Sequence, residues 1–304
     1  GESLGYKDQE YKDKGAQILN DAKEVLSKSN LICQVKLPME EEFKNIKENS
    51  NLIVSNYNYE KDKKNHQNFY LKSKINIFAL NLLPRITRAQ SMDVLSSQAN
   101  LAGYRAVIES IYEYEKAVPM MMTAAGTVPA AKVLVIGAGV AGLQAIATAK
   151  RLGAIVSATD VRLTAKEQVE SLGGKFLTVE GSENLETKGG YAKEAGEDFK
   201  KKQAQMLENA ASKSDIIICT ALIPGKPAPR IINEKMIDNM KSGSVVFDLA
   251  VTQGGNAAYS ETDKIVVKKG VKIIGISNVM NKLPLTASNL YAKNIFSFVR
   301  NLYN

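Results

Sequence analysis

Short uninterrupted apolar runs recur along the chain, separated by stretches whose apolar residues fall three and four positions apart. The first pattern is that of a strand buried on both faces, the second that of an amphipathic helix. In the first third, strand-like runs lie at 16–19, 31–36, 52–55 and 75–80, with helical segments at 21–28 and 40–48 between them. A long helix is predicted over 92–117, with Leu95, Ala99, Ala102, Ala106 and Ile111 as its apolar stripe. From 132 the alternation sharpens. Strands are predicted at 132–136, 155–158, 215–219, 244–247 and 272–276, with helices at 140–151, 166–172 and 233–240. A last helical stretch, 287–302, is expected to return to the N-terminal third of the chain. Strands alternating with helices predict parallel, doubly wound sheets.

One segment breaks the pattern. Residues 180–202 contain Gly181, Gly189, Gly190 and Gly196 but few apolar side chains besides Leu185, Tyr191 and Phe199. Such a stretch buries little of itself and is expected to move. It reads either as a surface insertion or as a loop that closes over a bound cofactor.

The run Lys132-Val133-Leu134-Val135-Ile136 leads directly into Gly137-Ala138-Gly139-Val140-Ala141-Gly142 and then into a helix. A G-x-G-x-x-G placed between strand and helix is the dinucleotide fingerprint. Gly137 permits the tight turn, Gly139 lets the backbone approach a pyrophosphate, and Gly142 allows close helix packing. The helix N-terminus offers unpaired N–H groups and partial positive charge to the phosphates. Asp160 ends the next strand, roughly 20 residues further on, where an acidic residue meets the ribose hydroxyls and repels a 2′-phosphate. NAD is therefore expected over NADP, although Arg162 nearby is what a 2′-phosphate would want.

The fold expected is α/β, with two doubly wound parallel-sheet domains. The second is a Rossmann NAD-binding domain, over 119–280, inserted before a C-terminal helix that returns to the first, over 1–118 and 281–304.

Composition excludes several alternatives. Lys and Arg number 40 against 32 Asp and Glu, a formal charge of +8. Much of the excess lies at Lys61, Lys63, Lys64, Lys72 and Lys74, in a polar, asparagine-rich stretch whose adjacent aromatics, Phe69 and Tyr70, do not alternate with the lysines as a single-strand groove would need. That is a solvated loop rather than a nucleic-acid groove, and no nucleic-acid partner is expected. Cys33 and Cys219 sit in apolar runs and are expected to be buried thiols. With His66 the sole histidine, a Cys/His zinc site is excluded. No signal peptide is visible at the start. The uncharged run 133–149 is long enough to suggest a membrane span, but three glycines among its first ten residues argue for strand, turn and helix.

Acid–base groups are scarce. His66 lies in a polar loop, and Lys36, ending a strand-like run, is the one basic group that could face a cleft. Dehydrogenation of an alcohol or amine needs a base. Hydride exchange between two nicotinamides needs orientation and dryness instead.

The stretch Arg85-Ile86-Thr87-Arg88-Ala89-Gln90-Ser91-Met92-Asp93, continuing to Ala106, closely resembles the NAD-binding domain of proton-translocating nicotinamide nucleotide transhydrogenases. The resemblance extends through Met120–Thr127, Ala141–Ala149, Thr220–Pro229, Asp248–Val251 and Gly254–Asn256. It implies that Arg85, Gln90 and Asp93, with Ser96, form a loop beside the nicotinamide, Gln90 holding the carboxamide. Tyr191 matches the family's mobile-loop tyrosine. Val140, Ala141, Val161, Thr220, Ala221 and Leu222 join the three glycines, Asp160 and Arg162 as cofactor contacts. The resemblance further implies a homodimer. It also implies NADP(H) on a separate partner domain, a transmembrane domain coupling hydride transfer to proton translocation, and a strand–helix–strand portion ahead of Gly1. The expected location is a soluble domain at the mitochondrial inner membrane or another organelle membrane. Alanine dehydrogenases resemble the chain too. They carry a histidine in the strand matching 75–80 and an aspartate at the position of Thr252, and this chain has neither. An alanine-dehydrogenase-like oxidoreductase and an NADH-sensing module are the alternative readings.

Overall fold

The computed structural model describes residues 1–57, 63–64, 66–179, 197–223 and 226–303, with 66 and 197–200 described by backbone alone. The chain divides into two compact units, Gly1–Gln98 with Pro284–Asn304, and Ala99–Leu283. The divisions fall after 98 and 283, where the sequence places them after 118 and 280.

In the first unit, β1 (Leu31–Gln34), β2 (Asn51–Val54) and β3 (Asn76–Ala79) form a parallel sheet in the order β1-β2-β3. The central strand is apolar on both faces. Leu52 and Val54 pack with Leu26, Phe43 and Tyr70, while Ile53 packs with Met92 and Phe298 on the opposite side. Helix α1 spans Asp8–Asp13. Helix α2 (Ala22–Lys28) starts where the Asp21 side chain accepts the Glu24 N–H at 2.7 Å, satisfying one of the orphan donors of the first turn.

Three expectations for this unit need correction. Residues 16–19 form no strand and are mostly exposed. The helix expected over 40–48 is a 3-10 helix over Glu40–Asn45. Its buried residues, Phe43 and the following Ile46, are three apart, the repeat of a 3-10 rather than an α-helical turn. Cys33 is exposed, on the edge strand β1, where a side chain has a neighbouring strand on one side only.

Helix α3 (Val94–Tyr114) straddles the first division. The second unit then opens with a hairpin of β4 (Met121–Thr123) and β5 (Gly126–Val128). There follow β6 (Lys132–Ile136), α4 (Val140–Arg151), β7 (Ile155–Thr159), α5 (Ala165–Ser171), β8 (Lys175–Phe176), α6 (Glu197–Lys213) and β9 (Ile216–Cys219). The unit closes with α7 (Glu234–Asp238), β10 (Val245–Asp248), β11 (Lys264–Lys268) and β12 (Val271–Gly275). Residues 197–202, expected to belong to a mobile polar stretch, start helix α6. Its inward side chains, Leu207 and Ala211, lie beyond that stretch, so the apolar signal comes late.

The strand order is β11-β12-β10-β9-β6-β7-β8, parallel except for β11. Strand β6 pairs with β7 on one side and β9 on the other, so the order reverses there. Both faces are covered. Val133 and Val135 meet Ala145, Ile146 and Ala149 of α4, and Leu134 and Ile136 meet Leu207 and Met236. This double coverage explains why β6 is uninterruptedly apolar after Lys132.

After the 3-10 turn Val279–Lys282, the chain rejoins the first unit through α8 (Pro284–Leu302). Pro284 occupies its first position, where a missing N–H costs nothing. Among the described residues, no helix is long and apolar enough to cross a membrane.

Candidate dinucleotide-binding site

The glycine motif sits at the C-terminal end of β6, at the point where strand order reverses. In doubly wound sheets this is where ligands bind. Each glycine does something different. Gly137 has φ +91°, a conformation other residues rarely adopt, and its N–H donates to the Thr159 carbonyl at 2.9 Å. A Cβ on Gly142 would lie 1.8 Å from the Gly137 carbonyl oxygen, so only glycine lets α4 start so close to the turn. Gly139 has φ −76°, and a Cβ built there would meet no protein atom within 4 Å. Neither backbone strain nor packing within the protein requires glycine at 139. The N-terminus of α4 has no side-chain cap, leaving first-turn N–H groups directed at this open space.

Asp160 closes one side. Its Oδ2 accepts the Ala138 N–H at 2.7 Å and an Arg162 guanidinium N–H at 2.9 Å. Its Oδ1 accepts the Arg162 backbone N–H and Nε–H, both at 2.9 Å. Burial pushes the carboxyl pKa up, but the hydrogen bonds and charge of Arg162, with the Ala138 N–H, outweigh it and hold the pKa below the usual carboxylate value. The guanidinium is thus committed to Asp160. Val161, beside it, is half-buried.

The other side is built by the residues after β9. The Thr220 hydroxyl donates to the Gly137 carbonyl at 2.9 Å, and the Thr220 N–H to the Ile136 carbonyl at 2.8 Å. Ala221 is held by Asn256, whose Oδ1 accepts the Ala221 N–H at 3.0 Å and whose Nδ2 donates to the Ala221 and Pro229 carbonyls at 2.9 and 2.8 Å. Asn256 is fully buried, and sequence reasoning assigns it no role. The adjacent Asp248 is also fully buried and accepts the Ala250 and Ala257 N–H groups, both at 2.9 Å. Its place at the end of a buried strand is the available signal. Leu222 is exposed.

In the first unit, Gln90 lies exposed on the 3-10 turn Thr87–Met92. Asp93 follows and caps α3. Its Oδ1 accepts the Ser96 N–H at 2.9 Å and its Oδ2 the Ser96 hydroxyl at 2.5 Å. Asp93 and Ser96 are therefore brought together just beyond Gln90. Arg85 is exposed on the segment leading into this turn, and Lys36 is exposed beyond β1. Tyr191 lies outside the described residues.

A doubly wound sheet with a glycine fingerprint at its switch point and a carboxylate on the next strand defines a dinucleotide-binding α/β protein. The family description "Alanine dehydrogenase/PNT, N-terminal domain" matches residues 1–102, and "Alanine dehydrogenase/PNT, C-terminal domain" matches 106–304. The chain belongs to the alanine dehydrogenase/PNT family. It is 55% identical over 292 residues to an NAD(P) transhydrogenase subunit alpha polypeptide of Rhodospirillum rubrum, covering 94% of this chain and 76% of that one. A solved transhydrogenase structure from Sinorhizobium meliloti superposes with a TM-score of 0.85 at 46% identity, covering 99% of this chain and 82% of the other. Alanine dehydrogenase of Staphylococcus haemolyticus is 28% identical, over 93% of this chain and 71% of the relative.

Proposed function

We propose that the chain is the NAD(H)-binding component of a nicotinamide nucleotide transhydrogenase, passing hydride between NAD(H) and an NADP(H) bound on a separate partner domain. The observation that carries the reading is Gly139. It is a glycine that the protein's own packing and backbone do not require, in front of an uncapped helix N-terminus. A pyrophosphate approaching the backbone there supplies the missing requirement. The identity to transhydrogenase subunits, about twice that to the alanine dehydrogenase (55% against 28%), favours hydride exchange over amino-acid oxidation. So does the absence of a histidine from 75–80 and of an aspartate at Thr252.

In this reading the N–H groups of Val140 and Ala141 bind the pyrophosphate and the Asp160 carboxylate binds the adenosine ribose. All four acceptor directions of that carboxylate are filled by Ala138 and Arg162, so a ribose hydroxyl enters by replacing an Arg162 N–H. Thr220, Ala221 and Leu222 line the side toward the nicotinamide half. The bound nicotinamide carries the hydride. Gln90 orients it through the carboxamide, Asp93, Ser96 and Arg85 fix the turn that presents Gln90, and Tyr191 belongs to the loop covering the cofactor. No residue of the chain has to move a proton, because one ring gains the charge the other loses.

Two further elements of the proposal concern assembly. The chain works beside a membrane domain that couples transfer to proton translocation, and it forms a homodimer. The hairpin β4–β5 supports the dimer, since a lone two-stranded ribbon is marginal in water and Met120, Met121 and Met122 are 63, 40 and 84% exposed along it. The test is a hydride-exchange assay with a supplied NADP(H)-binding domain. Exchange supports the proposal. No exchange, with NADH formed from NAD and alanine, replaces it by the dehydrogenase.

A further inference from the structure

The turn that carries Gln90 is short, exposed on its outer side, and held from below by the C-terminal helix. Ala89 and Met92 point inward into a cluster with Phe298 of α8. Between them the backbone is gripped by one side chain. Asn294 of α8, only 7% exposed, donates from Nδ2 to the Ser91 carbonyl at 2.9 Å, and its Oδ1 accepts the Ser97 hydroxyl of α3 at 2.7 Å. One turn of helix α8 beyond Phe298, the Asn301 Oδ1 accepts two N–H groups of Arg88, at 3.2 and 3.0 Å. Residues 294, 298 and 301 lie on one face of the helix. The turn is therefore fastened on both sides of Gln90, and the buried member of the pair fastens the carbonyl of the residue directly after it.

We propose that Asn294 is a positioning residue for Gln90: its amide fixes the Ser91 carbonyl, and through it the direction in which Gln90 leaves the turn. This rests on the role given to Gln90 above. A side chain acting by orientation loses most of its effect when its backbone shifts by about 1 Å, and the Asn294–Ser91 bond is the buried side-chain contact that resists such a shift, beside the Asp93 N–H to Gln90 carbonyl bond at 3.2 Å within the turn. The Ser97 hydroxyl satisfies the oxygen end of the same amide.

Asn294→Asp tests this with almost no change of volume. It replaces the donor facing the Ser91 carbonyl with an oxygen, yet still accepts the Ser97 hydroxyl. Ser97→Ala removes the second bond, together with the Ser97 hydroxyl's bond to the Val94 carbonyl at 3.0 Å, leaves the donor to Ser91 in place, and serves as the control. Two measurements decide. Hydrogen–deuterium exchange of residues 86–93 should rise several-fold in N294D and little in S97A; unchanged protection in N294D overturns the proposal. Hydride exchange with the NADP(H)-binding partner should fall about tenfold in N294D with NADH affinity nearly unchanged, and N294D should cost little more once Gln90 is already Ala. A fully multiplicative double variant, or an unslowed N294D, would assign Asn294 to stability alone. If the wild-type chain binds NADH but supports no exchange, the functional reading fails first and this role falls with it.

Discussion

Gly142 and Gly137 stand so close that a Cβ on the first would lie 1.8 Å from the carbonyl oxygen of the second. The start of α4 is thereby pressed onto the turn leaving β6, and the uncapped amides of the helix face the mouth of the sheet. Gly139, between them, is free of any such contact. The two positions therefore respond differently to the same substitution. Gly142→Ala should destabilise the second unit by about 3 kcal/mol or more, since backbone rather than a flexible side chain is in the way. Gly139→Ala should leave stability within about 1 kcal/mol and weaken NADH binding by about tenfold or more. Thermal unfolding and NADH titration of the two variants check this; equal effects on folding would refute the distinction.

The Asp160 carboxyl has a folded-state pKa held below its ordinary 3.8 by Arg162 and Ala138. A depressed value means that the ion pair's contribution is complete above the unfolded pKa and disappears as pH falls through the folded one. Urea denaturation should therefore show wild type losing more stability than Asp160→Asn between neutral pH and the region below 3.8. At neutral pH the same variant should bind NADH more weakly, having lost the charge and one of the two acceptor oxygens offered to the ribose. Parallel pH curves for the two proteins would show that the pair contributes nothing.

Gln90 is exposed on a turn whose neighbours are fixed. Shortening it by one methylene in Gln90→Asn should slow hydride exchange by about tenfold or more while NADH affinity stays nearly constant, the signature of lost alignment rather than lost binding. A large loss of affinity with turnover preserved would contradict the orienting role.

The β4–β5 hairpin exposes Met122 at 84%. If a second copy covers it, Met122→Asp places an unpaired charge in that contact and should shift the chain from dimer to monomer. Light scattering after size exclusion reads the outcome directly. A dimer unaffected by the substitution would move the interface elsewhere.

What can be read from the chain alone follows how strongly each segment has to be buried. The β6–α4–β7 unit is legible because a two-face-buried strand, three glycines and a following helix leave few alternatives. Its ends agree with the observed elements to within a residue. Strand β11 (Lys264–Lys268) is hidden in the sequence because it is a largely exposed edge pairing antiparallel with β12, and lysines at both ends mask its short apolar centre. The 3-10 helix at Glu40–Asn45 reads as an α-helix because acidic residues mark a helix start without fixing its pitch. Of the site, the glycines and Asp160 carry their own signals. The Arg162 pairing, the Asn256 clamp on Ala221 and the Asn294 grip on Ser91 do not, because each joins residues at least two and up to 203 positions apart by a side chain whose type is common on surfaces.

The most direct test of the account is a crystal structure of the chain with NADH. The account predicts pyrophosphate oxygens within hydrogen-bonding distance of the Val140 and Ala141 N–H groups, over Gly139, with the ribose on Asp160 in place of an Arg162 N–H. Cofactor bound elsewhere, or a turn from Gly137 to Gly142 left without ligand at saturating NADH, would contradict it.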